Sequence, residues 1–341
     1  MLSRTHNLCH RLPTRPDRKR VPSHDREGVV FANSCNFVLA AILLLWSALA
    51  AHAQDPPSDS DHIGFAKRGE WPQVNIGDPR LNRAMTAVTK QAATFWQEAP
   101  NFVGREMLTQ KAVDRSKKKP HFRQQTTPPA EKTLTEQQLD SCYAFSVFTT
   151  APEAILEFRR IVSINGKQTE DAAAARRALG ALIASKDNAG RQALLDAFEK
   201  ENHRGAAVNF GQLILLFIRS RLNQYTFTVE ETTAVGNDRA RIISFKQTDG
   251  GSLKITEPGR KVRVPLQGEL YVREDDDAVL RIAIKVIRAD GDLVIRDEAR
   301  VDYSSNGAST ILPATVLYRR YLNNKMYFEN TYAYSDWQAI R

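Results

Sequence analysis

The sequence predicts an α+β fold built on an antiparallel sheet, and three observations carry that reading. From Tyr225 to Tyr334, short runs of alternating apolar and polar residues are separated by "VGND", "TDGG", "EPGR", "REDDD", "ADGD" and "SSNG", the Gly, Asp and Asn clusters that tight hairpins require. Three earlier runs, "NFVGREMLTQ", "YAFSVFTT" and "ILEFRRIVSI", also read as strands. Helical periodicity is confined to a segment starting at Asp78 and a block near 166–222. No self-similarity at a period of about 20 to 50 residues is visible, which weighs against a propeller or solenoid.

At the amino terminus, Arg15, Arg18, Lys19, Arg20 and Arg26 precede the apolar "FVLAAILLLWSALA" and the small-residue site "AHA" at Ala51–Ala53. That order reads as a signal peptide over residues 1–53. The apolar stretch is shorter than the ~20 residues a membrane-crossing helix needs, so cleavage near Ala53 is expected, with an uncleaved anchor as the alternative. The mature chain would be periplasmic or secreted. It would retain Cys142 alone, too few thiols for an internal disulfide. Cys142 then reads as a small buried hydrophobe, or as a reactive or intermolecular thiol.

Residues 54–77, opening "QDPPSDSDH", read as a flexible linker, and 78–341 as a single β-rich domain. Asp78 can cap a helix with Pro79 at its first position, and Leu81, Met85, Val88, Ala92 and Phe95 recur on one face to about Pro100. The polar loop Ser116–Gln138 contains the run Lys117–Lys119, which reads as solvated loop, or as a contact for acidic headgroups or nucleic acid. The mature balance of 41 basic to 36 acidic residues is too mild to demand a nucleic-acid partner, and none is expected.

Within the 166–222 block, two Ala-rich amphipathic segments precede "NFGQLILLFI", where Leu213–Ile218 is apolar all round. A helix of that kind is either enclosed by protein or touches something apolar that is not protein. In the first case it is a core helix. In the second, Phe210, Leu213, Ile214 and Phe217 line a cavity against the dry face of the sheet. In "GELYVREDDDAVLRIAIKV", Leu280, Ile282, Ile284 and Val286 alternate with polar residues and are expected to share that dry face. The acidic turn Glu274–Asp277 is expected to be a solvated tip, with calcium as the alternative. On the following strand, Asp297 is either an inward polar group or the mark of a bulge.

Signatures of catalysis are missing. His62, His121 and His203 lack the spacing of metal ligands, and no H-E-x-x-H, G-x-S-x-G, C-x-x-C or P-loop pattern occurs. No enzyme, metal or cofactor is therefore expected. The remaining catalytic alternative is a carboxylate-based hydrolase using Asp297, Glu298 and Asp302, which only geometry can test.

The fragments "PNFVGRE", "INGK", "GELYVREDDDAVLRI", "ARVDYS" and "LPATVLYRRYLNNKMYFENTYAY" together resemble bacterial periplasmic proteins of the outer-membrane lipoprotein-sorting, or LolA-like, superfamily, over roughly Asn101–Ile340. The chain departs from that pattern at Asp275–Asp277, where a Thr-Gly turn is usual, and in its Ala-rich insertion. The resemblance implies a curved half-barrel of about 8 to 11 strands whose concave face is covered by helices and holds acyl chains of a lipid or lipoprotein. Phe210, Leu213, Ile214 and Phe217 would be the lid, and Leu280, Ile282 and Ile284 the floor. A second reading is an envelope scaffold with a filled core, whose open sheet edge accepts a partner's strand.

Overall fold

The computed structural model describes residues 77–113, 134–201, 209–248, 253–257, 260–305 and 310–340. The signal peptide, the linker up to residue 76, Lys117–Lys119 and the three histidines lie outside them. Asp78 begins the fold: its carboxylate accepts from the backbone N–H of Arg80 at 2.7 Å, and helix α1 (Pro79–Glu98) follows with Pro79 in its first turn. Strands β1 (Phe102–Val113), β2 (Leu134–Phe148), β3 (Ala151–Ile164) and the two-residue β4 (Lys167–Gln168) come next, then helices α2 (Ala172–Ala184) and α3 (Asn188–Glu201). The rest is strand: β5 (Tyr225–Val235), β6 (Asp238–Gln247), β7 (Leu253–Glu257), β8 (Arg260–Val264), β9 (Gln267–Arg273), β10 (Val279–Asp290), β11 (Leu293–Ser304), β12 (Leu312–Leu322) and β13 (Lys325–Ala339).

Eleven strands form one open antiparallel sheet in the order β4-β3-β2-β1-β13-β12-β11-β10-β9-β6-β5. The fold class is therefore the α+β arrangement expected, a curved sheet with helices packed on it. Two boundaries differ from the sequence reading. The loop expected over Ser116–Gln138 gives way to β2 at Leu134, and the run expected over Val262–Arg273 is split at Pro265, whose missing N–H cannot serve a ladder. The hairpin β7–β8 stands apart as a two-stranded sheet, and β9 returns to pair with β6.

The larger core lies on one face of the sheet, here the inner face. It is covered by α1 and by two short 3-10 helices, Leu213–Phe217 and Arg219–Gln224. Segment 213–218 is thus not the expected α-helix. Helix α2 also departs from the expected cover of the inner face. On the opposite, outer face, α2 packs Ala175, Leu179 and Ile183 against Val103, Cys142, Ala144, Phe158 and Val162 of β1 to β3. Those strands are apolar on both sides, so a second layer is needed there. Cys142 is buried among these residues, and burial pushes its thiol pKa up, toward the unreactive form.

The acidic turn is not wholly solvated. Asp275 and Asp276 are exposed, but Asp277 is buried and has a left-handed backbone, φ 56°. Its carboxylate meets Arg83 of α1 at 2.8 Å and Arg241 of β6 at 3.3 Å. The Gln91 side chain donates to the Asp277 carbonyl and accepts from the Val279 N–H. The β9–β10 hairpin therefore clasps α1 onto the sheet.

Candidate functional site

The segment between α3 and β5 runs under α1 and across the inner face, and it carries the residues the sequence marked as a lid. Phe210 stacks on Tyr318 with ring centroids 5.0 Å apart, and Phe217 meets Phe245 edge-on at 5.1 Å, with Tyr225 and Phe227 each 6.3 Å away. Phe210, Ile214, Phe217 and Ile282 belong to one core cluster, and Leu213 and Ile284 pack against it half-buried. Leu280 is buried outside that cluster, because a register irregularity between Val279 and Arg281 turns Val279 into the core in its place.

Of the residues expected to form the lid, Ile214 and Phe217 do not face an open space. Ile214, Phe217 and Ile282 have 0% of their surface accessible to a water-sized probe, so none of them borders a void that could hold water. The segment itself occupies the inner face. Its backbone is held lightly: the Ile214 N–H donates to the Tyr303 hydroxyl at 3.0 Å, and that hydroxyl lies 3.2 Å from the Gly211 carbonyl, to which it donates. Within the segment, Gln212 is buried with neither end of its carboxamide hydrogen-bonded among the described residues. A buried polar group without a partner costs about 1 to 3 kcal/mol.

Next to the start of this segment lies a charged cluster that the sequence reading missed. Arg159 is fully enclosed and donates to both oxygens of Glu106, at 2.7 and 2.8 Å, and to Glu157 at 2.8 Å. Its guanidinium lies over the rings of Phe198 at 4.8 Å and Tyr143 at 5.0 Å, and a weaker contact reaches Asn209 at 3.4 Å. The second Glu157 oxygen and the Tyr143 hydroxyl both face Gly211, where an added Cβ would come within 2.7 Å of the hydroxyl. Burial pushes Glu157 up to about 7, an effect larger than the stabilisation of its carboxylate by Arg159. Burial likewise raises the hydroxyls of Tyr143, Tyr303 and Tyr334 well above their ordinary value.

Strand periodicity explains why this cluster was hard to find. The inward positions of β1 are Gly104, Glu106, Leu108 and Gln110, while Val103 and Met107 point outward. Apolar alternation alone selects the wrong side of that strand.

The acids weighed for catalysis do not converge. Asp297 is an inward polar group in unbroken register, accepting from Arg320 at 2.6 Å and from Tyr318 at 2.7 Å. Glu298 and Asp302 pair with Arg296 and Arg281 on the outer face. The carboxylates that do converge, Glu106 and Glu157, are sealed from solvent. Among the described residues, no group of three His, Cys, Asp or Glu is arranged to hold a metal, and no helix is long and apolar enough to cross a membrane.

No family model and no curated protein matches the chain. A crystal structure from Vibrio parahaemolyticus, described as a candidate outer membrane lipoprotein-sorting protein domain, is similar to it at 8% sequence identity and a TM-score of 0.34, covering 74% of this chain and 91% of that one.

Proposed function

We propose that the chain is a non-catalytic carrier of a hydrophobic ligand, such as the acyl chains of a lipid or lipoprotein, working in the bacterial envelope. Its resting state is closed, with the 210–218 segment filling the inner face as an internal stand-in for the ligand. Displacing that segment would uncover the sheet around Ile282 and Ile284. The observation that carries this reading is Gln212. A segment evolved only to be core would not bury an unpartnered carboxamide amid Phe210, Ile214 and Phe217. Acyl burial on the vacated face would contribute about 25 cal/mol per Å² without directional groups, in keeping with an apolar surface that lacks catalytic residues.

Two substitutions should act in opposite directions. Gln212→Leu removes the unpartnered amide and stabilises the closed state, so uptake of a fluorescent fatty acid should weaken about tenfold for each ~1.4 kcal/mol gained. Phe217→Ala loosens the segment and should raise uptake if the protein still folds. Native mass spectrometry of protein expressed to the periplasm should show copurified lipid. Protein recovered only in the apo form, with no fatty-acid uptake by any of the three forms, would overturn the carrier reading.

The scaffold reading keeps one supporting observation, the edge strand β5, which pairs with β6 alone. That edge is blunted, however. The register breaks between Val229 and Thr232, where Glu230 and Glu231 stand exposed, and both features discourage strand addition.

A further inference from the structure

On the outer face, away from α2, the sheet holds a hollow of 510 Å³ between β5 and β12. It is built from two neighbouring rows of outward side chains that cross six strands. The strand register aligns the first row as Thr226, Lys246, Gln267, Lys285, Glu298 and Arg319. Beside it, Thr228 and Ser244 contribute hydroxyls, and Leu317 an apolar wall. At the centre is Gly268. A Cβ there would lie 2.0 Å from the Ala283 carbonyl oxygen and 2.8 Å from Phe245 Cζ, so only glycine lets β9 and β10 draw together at this point.

The charges in the hollow fall into two groups. Arg319 donates to Glu329 at 2.8 Å, Glu298 lies 3.2 Å from Arg296, Arg300 lies 3.8 Å from Asp302, and Glu269 accepts from the Tyr271 hydroxyl. These groups satisfy one another. Lys246 and Lys285 do not: no carboxylate among the described residues lies within ion-pair distance of either. Elsewhere on this face cations are matched, as with Arg105 and Asp140, Lys111 and Glu136, and Arg160 and Glu170. The two unmatched lysines flank Gln267, their backbones roughly 10 Å apart by strand spacing, and their long stems can close on a shared anion.

We propose that this hollow binds a small ligand through a phosphate-type oxyanion held between Lys246 and Lys285. The Gln267 amide and the hydroxyls of Thr226, Thr228 and Ser244 would hydrogen-bond the rest of its polar group. A volume of 510 Å³ suits a molecule of headgroup size. The same phosphate chemistry is offered by a soluble phosphate monoester and by an anionic phospholipid headgroup. The site does not depend on the inner face, and it stands or falls separately from the carrier reading.

The test compares the full mature protein with Lys246→Glu/Lys285→Glu and with Lys167→Glu, a control in the exposed two-residue strand β4. One arm titrates glycerol phosphate by calorimetry. The other measures sedimentation with vesicles of phosphatidylglycerol in phosphatidylcholine, set against phosphatidylcholine alone. The double variant should weaken binding at least tenfold with an unchanged melting temperature, while Lys167→Glu binds as the parent does. Binding of glycerol phosphate assigns the site to a soluble ligand, and binding confined to the phosphatidylglycerol vesicles assigns it to a lipid headgroup. The proposal is overturned if the parent binds neither probe, or if the double variant and the control lose binding equally.

Discussion

Glu157 ties part of this protein's stability to pH. Its folded pKa, about 7, stands above the ordinary carboxylate value of 4.5. Between those two values the folded chain keeps a proton that the unfolded chain has released, so stability should fall as pH rises through that window and level off above it. The shift corresponds to a loss of about 3 kcal/mol. Denaturant melts at pH 5 and pH 8 should show the difference, and Glu157→Gln should largely abolish it while preserving the contact with Arg159. Removing Arg159 is a harsher change, since two enclosed carboxylates would lose their counter-charge, at about 3 to 5 kcal/mol. Little of this was legible from residues alone. Glu106, Glu157 and Arg159 are ordinary surface types, and only the pairing of β1 with β2 and of β2 with β3 brings them together, in neighbouring rows of the inner face.

Among the elements, the β9–β10 hairpin shows how a turn can be read correctly in place and wrongly in role. Its strands and its tip were legible, because alternation and the Asp cluster are local signals. That Asp277 would be drawn inward was not, because Arg83 and Gln91 lie almost two hundred residues earlier and only the docking of α1 unites them. Asp277→Ala should cost about 2 to 3 kcal/mol, combining the lost bond to Arg241, a smaller share from the exposed Arg83, and the cost of a left-handed backbone for alanine. Asp277→Asn keeps the turn geometry and should cost about half as much in the same denaturation assay. The 210–218 segment has the complementary history. Its apolar character was plain, whereas its 3-10 form was not, since a five-residue turn shaped by its neighbours leaves no periodicity to read.

For the whole molecule, hairpin chemistry predicted nearly every strand, but not the side of the sheet each helix would take. α2 went to the outer face because Cys142, Ala144, Phe158 and Val162 needed cover, a demand visible only once the faces of β2 and β3 are assigned. The hollow beside Gly268 was equally hidden. Its two rows draw on six strands, and no local pattern announces a row that runs across the chain.

The middle of the sheet joins β1 to β13, the first long strand to the last, along a register running from Phe102 opposite Ala339 to Ala112 opposite Phe328. Every other long neighbouring pair is closer in the chain. The two halves can therefore assemble as separate hairpin stacks, but they cannot be sutured until β13 is available, and closing so large a loop is slow. A chain delivered amino terminus first would wait, half-built, for β13. In refolding followed by pulsed hydrogen exchange, amides of β10 to β12 should gain protection before those that β1 and β13 bond to each other.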